Sequence, residues 1–194
     1  LVPSPLQTIY LAVTAFIIGT AIGIDEKTNH VQAIVSIIKM LILVIVGGLV
    51  YVTIEIMYRG FSHWTMFIVG GICFIEIGVE NELMPTWDIP IEVQALIGAI
   101  IITVNEFICG CIINIGYGMH IWDYSGLPFN VLGQICLPFT IAWFFIALVA
   151  IVVDDKIRYT LFREELPHYD SIILKRTFYL TTNPDLIKKC NRFA

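Results

Sequence analysis

The sequence predicts an all-α membrane protein, a polytopic transmembrane bundle of about five helical spans followed by a C-terminal cytoplasmic tail. Three observations carry that prediction. Apolar residues make up 58% of the 194 and charged ones only 14%, whereas a soluble domain carries roughly 25% charged residues. The apolar residues come in blocks near the ~20 residues a helix needs to cross a bilayer. Basic residues gather at one end: positions 154–194 hold eight of the eleven Lys and Arg, while 1–153 hold ten of the sixteen Asp and Glu. That asymmetry assigns the tail to the cytoplasmic side, and the acidic body argues against a nucleic-acid partner.

Along the chain the transmembrane domain, 1–153, divides into blocks at about 6–24, 31–58, 61–83, 91–115 and 128–153. The first, Leu6 to Ile24, is uncharged and too long for a signal-peptide core, so it reads as a retained span. Ala15, Gly19 and Gly23 give it a small-residue stripe for close helix approach. The polar stretch Asp25 to His30 leads into the second block, where Gly47 and Gly48 form another close-approach surface and Arg59–Gly60 mark the end. The third block stops before Pro85, and the fourth starts after Pro90, a residue suited to a helix entrance. Between Gly116 and Asn130, Gly, Pro, Trp122 and Tyr124 predict an interfacial turn with an aromatic belt.

No charge occurs from Tyr124 to Val153. As one helix that stretch would measure about 45 Å, more than the hydrocarbon core, so Pro128 and Pro138 are expected break points and a re-entrant turn is the lesser alternative. Five spans with a cytoplasmic tail put the 116–130 loop, Arg59 and the amino terminus outside, and the 84–90 loop inside. The tail, 154–194, mixes charge with Ile157, Leu161, Phe162 and Ile172 to Leu174, which predicts surface helices.

Charges within the apolar blocks are the candidate functional groups. Glu106, beside Asn105, lies far from either end of the fourth block, where a lone carboxylate costs about 3 kcal/mol. Two readings stand side by side: a proton or cation site, and a polar tie between helices. Glu76 and Glu80 share one helical face, so they share a proton or have a cation or base between them. Lys39, Arg59 and His63 are the candidate charge partners, and Glu80 with Glu82 fits a membrane exit. Glu55 and Arg59, one turn apart, suit an interfacial ion pair. His63 and His120 sit beside Trp64 and Trp122 at block ends, where headgroup-level histidines need no metal. Asp123, followed by the Gly126–Leu127–Pro128 turn and by Asn130 and Gln134, either lines a cavity or caps its own turn; the cap is the simpler reading.

Four of the five cysteines, Cys73, Cys109, Cys111 and Cys136, fall in apolar blocks as small hydrophobes, and with Cys190 they form no disulfide or metal pattern. The P-loop string and the G-x-S-x-G, H-E-x-x-H and C-x-x-C motifs are absent, so neither an ATP-driven motor of its own nor an intramembrane hydrolase is expected, and no cofactor is implied.

Four strings carry a family resemblance: YRGFSHWTMFIVGG at Tyr58 to Gly71, EFICGCIIN at Glu106 to Asn114, WDYSGLPFNVLGQICLPF at Trp122 to Phe139, and LPHY at Leu166 to Tyr169. Together they resemble the ABC-transporter type IV, or CmpB-like, membrane family, over roughly Glu55 to Tyr169. The resemblance implies a permease-like transport component of a bacterial cytoplasmic membrane, with a separate ATPase subunit in trans that meets the tail or the Glu82 to Asp88 loop. The expected transport path holds Glu76, Asn105, Glu106, Asp123 and Gln134. The expected partners are the lipid bilayer, that ATPase and further copies of the chain. The competing reading is a non-transporting protein, an assembly or regulatory subunit or a phage-type pore, in which the same polar groups only tie helices together.

Overall fold

The computed structural model describes residues 30–83, 89–164 and 166–181. The first predicted span with its small-residue stripe, the polar stretch up to Asn29, the loop 84–88 and the end of the tail lie outside the described residues, as do the side chains of Glu80 and Glu82. The described chain is mostly helical, in the order α1 (His30–Arg59), α2 (Trp64–Leu83), α3 (Ile91–Gly110), α4 (Leu137–Ile157), then strands β1 (His168–Ser171) and β2 (Arg176–Tyr179). Wider π-type turns extend α3 over Cys111–Gly116 and α4 over Arg158–Phe162.

Three helices are long and apolar enough to cross a membrane: His30–Arg59, Ile91–Gly116 and Leu137–Phe162. The apolar part of the helix between them, Trp64–Val79, is shorter. Three such spans therefore stand among the described residues where the sequence predicts about five in the whole chain. The short α2 is nonetheless the centre of the bundle. Val69 to Gly71 and Cys73 to Val79 are buried, while α1 and α4 show Ile34, Ile38, Leu41, Ile45, Phe145 and Val149 on their outer faces. In water such surfaces would be a liability; against lipid tails they cost nothing.

Glycine brings α1 and α2 together. A Cβ on Gly47 would sit 2.3 Å from the Phe74 Cβ, and one on Gly70 would sit 2.3 Å from the Tyr51 Cβ. Gly48 faces Phe67 and Gly71 faces Val44 in the same way. The crossing is thus built from two glycine pairs, and its attraction is van der Waals contact between nearly touching backbones.

Two expectations change. The apolar run after Pro128 does not become helical until Leu137, and Pro138 occupies the first turn of α4. A missing amide costs nothing there, because the first-turn N–H groups have no intrahelical partner. The segment 117–136 is instead an irregular, folded loop closed by a Val131–Ile135 bridge. Its backbone takes positive φ at Gly118, His120, Phe129, Leu132 and Gly133. Similarly, the described tail holds no separate surface helix: α4 runs on to Phe162, Arg163 ends it at φ 58°, and an antiparallel hairpin follows. The sequence HYDS puts Tyr169 and Ser171 on the buried face in strand alternation, a period a helix would break.

Candidate functional site

Glu106 is buried, 3% exposed, on α3. Its carboxylate accepts hydrogen bonds from the Tyr124 hydroxyl at 2.9 Å and from the Trp143 indole N–H at 2.9 Å. One donor comes from the loop and the other from α4, so a single side chain ties three parts of the fold. Asn105, the adjacent residue, points the other way and donates to Glu76 on α2 at 2.5 Å. The neighbouring pair Asn105–Glu106 therefore clamps α3 between α2 on one side and α4 with the loop on the other.

Gln134 belongs to a second polar cluster nearer the loop. Its side-chain oxygen accepts from Asn114 at 2.8 Å, and its backbone carbonyl accepts from the Trp122 indole at 3.0 Å. Asn114 also donates to the Trp122 carbonyl at 3.0 Å and accepts from the Ile121 amide at 2.7 Å. Gly110 makes room, since a Cβ there would lie 2.6 Å from the Gln134 oxygen. These bonds hold a backbone that would otherwise relax from its positive-φ residues.

Asp123 caps its own turn, as the simpler reading expects. It accepts from the Ser125 amide at 2.8 Å and from the Ser125 hydroxyl at 3.0 Å. Those two donors, the amide first, hold its carboxyl below the ordinary aspartate range. The side chain is solvent-exposed at the mouth of a cavity, so it also lines one.

Arg59 and Glu55 form the predicted ion pair at 2.6 Å, and Ser62 also donates to Glu55 at 2.5 Å. Arg59 further donates to the Ile121 carbonyl at 2.6 Å and lies over the Phe61 ring, pinning the loop to the end of α1. His63 bonds Thr65 at 2.9 Å and neighbours the Trp64 ring. Lys39 meets Glu164 at 3.0 Å, so its described carboxylate partner is at the far end of the bundle from Arg59. Among the described residues no group of three His, Cys, Asp or Glu side chains could hold a metal ion.

A cavity of about 490 Å3 lies between α1, α4 and the loop, with Glu55, Arg59 and Asp123 among its walls. Its aromatic lining is a connected set of rings. Tyr124 stacks on Phe139 at 4.7 Å, Tyr58 meets Phe139 edge-on at 5.3 Å, and Tyr51 stacks on Trp143 at 5.7 Å. Glu106 stands directly behind this wall, bonded to two of the rings. An apolar crevice of about 360 Å3 adjoins it, sharing Tyr51, Ile54, Trp143 and Ile146 and running toward Phe74 and Val153.

At the opposite end, Asp154 and Arg158 pair at 2.5 Å with side chains 0% and 5% exposed. They lie against Gly78, where a Cβ would come 2.7 Å from both Asp154 oxygens. Glu164 links this pair to Lys39, at 3.8 Å from Arg158 and 3.0 Å from Lys39. The hairpin is fastened to the same end: Glu92, in the first turn of α3, accepts from the Ser171 hydroxyl and from the Ile172 and Ile173 amides at 3.1 and 3.3 Å. Tyr169 donates to Asp155 at 2.8 Å, and its phenol is raised well above the ordinary range by burial, then by that carboxylate.

The structure thus brings Glu76 with Asn105, Glu106 with Tyr124 and Trp143, and Gln134 with Asn114. Asp123 and Arg59 border the cavity, whereas His63 and Lys39 are engaged elsewhere. Sequence reasoning misses Tyr124, Trp143, Asn114 and Glu92 as partners. Of these, Asn114 leaves a signal, an amide in an apolar run. The other three are joined to their partners across 18, 37 and about 80 residues, which no local pattern records.

Apolar helices with lipid-facing flanks around a buried, largely hydrogen-bonded polar interior define an α-helical membrane protein. The family model described as “Putative ABC-transporter type IV” matches residues 16–187, and the chain belongs to that family. No curated protein and no solved structure matches it.

Proposed function

We propose that the chain is the permease-like, membrane-spanning component of a transport system of the ABC type. It sits in the bacterial cytoplasmic membrane as a multi-pass protein of five spans with its C-terminal tail in the cytoplasm. It is not an enzyme: ATP hydrolysis belongs to a separate ATPase subunit that meets the tail end of the bundle, where Lys39, Glu164, Arg158 and Asp154 gather. The substrate enters the aromatic cavity at the loop end, and the buried polar groups Glu76, Asn105 and Glu106 behind it form the path.

The observation that supports this reading is the position of Glu106. A carboxylate near the middle of an apolar helix costs about 3 kcal/mol and marks a functional site by default. Here it lies at the back wall of a cavity in a member of a transporter-related family. The rival reading, a purely structural tie, is favoured by the two hydrogen bonds that satisfy it. Glu106→Gln separates them. An amide can turn its oxygen to the Trp143 N–H and its NH2 to the Tyr124 oxygen, so both bonds survive without the charge.

Vesicles holding the chain and its cognate ATPase should show ATP-dependent flux, which Glu106→Gln abolishes without lowering the unfolding temperature. A chain recovered from its native membranes without any P-loop subunit, and without ATP-dependent flux, overturns the proposal. Flux that persists in the Gln variant removes Glu106 from the path.

A further inference from the structure

We infer that the cavity at the loop end binds lipophilic organic cations: a substituted ammonium head against the aromatic wall, with an apolar body extending into the adjoining crevice. The inference rests on the reading of this cavity as the substrate site and names the class of substrate it takes.

The wall presents six aromatic side chains, Tyr51, Tyr58, Trp122, Tyr124, Phe139 and Trp143. Ring faces carry negative potential and attract ammonium groups, most strongly where water is excluded. The formal charges at the same wall are Glu55 and Asp123, both negative, against Arg59 alone, a balance of one negative charge. Arg59 offers little to an anion. One terminal nitrogen donates to the Ile121 carbonyl and the other to Glu55, its plane covers Phe61, and its Nε, though without a hydrogen-bond partner, is buried and so closed to a ligand. Asp123, by contrast, is exposed at the mouth, with its carboxylate held by donors of its own turn.

Glu106 adds to the preference from behind. When ionised it accepts from the Tyr124 hydroxyl and the Trp143 indole, and such donation to an anion raises the electron density of both rings. With the ligand in the cavity it acts as a positioning residue that tunes and orients two wall groups. The adjoining crevice, lined by Val50, Phe74, Ile77 and Val149, has no charged residue in its wall. It can therefore take only the uncharged part of a ligand. The two volumes together fall in the range of small-molecule sites.

The test is equilibrium dialysis of the whole chain in neutral-lipid nanodiscs, with protein-free discs subtracted. The probes are phenyltrimethylammonium, its neutral isostere tert-butylbenzene and the anion benzenesulfonate. Saturable binding of the ammonium, about tenfold or more tighter than either other probe, is expected. Asp123→Asn and Phe139→Leu should each weaken it by about three- to tenfold, measured well below the unfolding midpoint, which Phe139→Leu lowers through its lost contacts with Tyr58 and Tyr124.

Equal binding of the neutral isostere, or tighter binding of the sulfonate, overturns the inference. So does ammonium binding that both variants leave untouched, because the site then lies elsewhere. No ATPase or ATP is present in this experiment. A failure to bind therefore retires the substrate class while ATP-dependent flux, measured separately, still decides the transport reading.

Discussion

Replacing Gly70 with Ala places a Cβ 2.3 Å from the Cβ of Tyr51 and 2.9 Å from the Gly47 carbonyl oxygen. Ordinary contact begins near 3.4 Å, so α1 and α2 must separate by about 1 Å. Both obstacles are backbone or the first side-chain carbon, so no flexible chain end can swing aside. Overpacking of this kind costs about 1–3 kcal/mol. In lipid the loss is not cushioned by a hydrophobic gain elsewhere, because helix association there depends on contact itself. For a chain of this size each kcal/mol moves the midpoint by about 2–4 °C, so the mid-range cost corresponds to a fall of roughly 4–8 °C.

The protein carries its own reporter once the partly exposed Cys111 and the tail Cys190 are replaced by Ser. Cys73, Cys109 and Cys136 are 4%, 6% and 2% exposed, so a thiol-reactive fluorophore then gains signal as the bundle opens. Gly126→Ala is the control, since nothing lies within 4 Å of its Cβ position. Tyr51 stacks on Trp143 at 5.7 Å, so Gly70→Ala should weaken ammonium binding at the aromatic wall as well. An unchanged melting curve and unchanged Cys73 labelling in Gly70→Ala would refute the close crossing.

Three further outcomes follow from particular contacts. Asn114→Ala removes the bonds to Ile121, Trp122 and Gln134 and leaves buried polar groups without partners, at about 1–3 kcal/mol each; a fall in melting temperature and a red shift of Trp122 emission are expected. Glu92→Ala releases the hairpin, so hydrogen exchange at the Ile172 and Ile173 amides should speed up about tenfold or more while that of α2 is unchanged; equal exchange in both proteins would separate hairpin and helix. Asp123 has a carboxyl lowered by folding, so its turn is favoured above the unfolded aspartate value of about 3.9 and weakens only as pH falls through the lower folded value. The Asp123 carboxyl itself, followed by its NMR signal, should therefore titrate below the unfolded value, and a midpoint at or above that value would contradict the Ser125 bonds.

The membrane class, the limits of α1 and the entrance of α3 were legible in the sequence because they follow from block length and from local signals such as Arg59–Gly60 and Pro90. Pro138 was equally visible, but the extent of the non-helical stretch before it was not. Residues 131–136 were expected in the last span, and what keeps them in the loop is the Val131–Ile135 bridge and the bonds of Gln134 to Asn114 and Trp122. The tail likewise carried the alternation of HYDS and RTFY, yet the hairpin also depends on Glu92 and Asp155 to hold its turn and its tyrosine.

By itself, then, the sequence determined that the protein lives in lipid and that Glu106, Glu76 and Asn105 needed partners. Hydrophobic length and the cost of a buried charge are properties of a segment, readable one residue at a time. Which partners they found, and that the loop and α4 would enclose an aromatic cavity in front of Glu106, was decided only by tertiary structure. Hydrogen bonds and ring contacts depend on positions in space, and residues 18 to 80 places apart meet through helix crossings that no local period encodes.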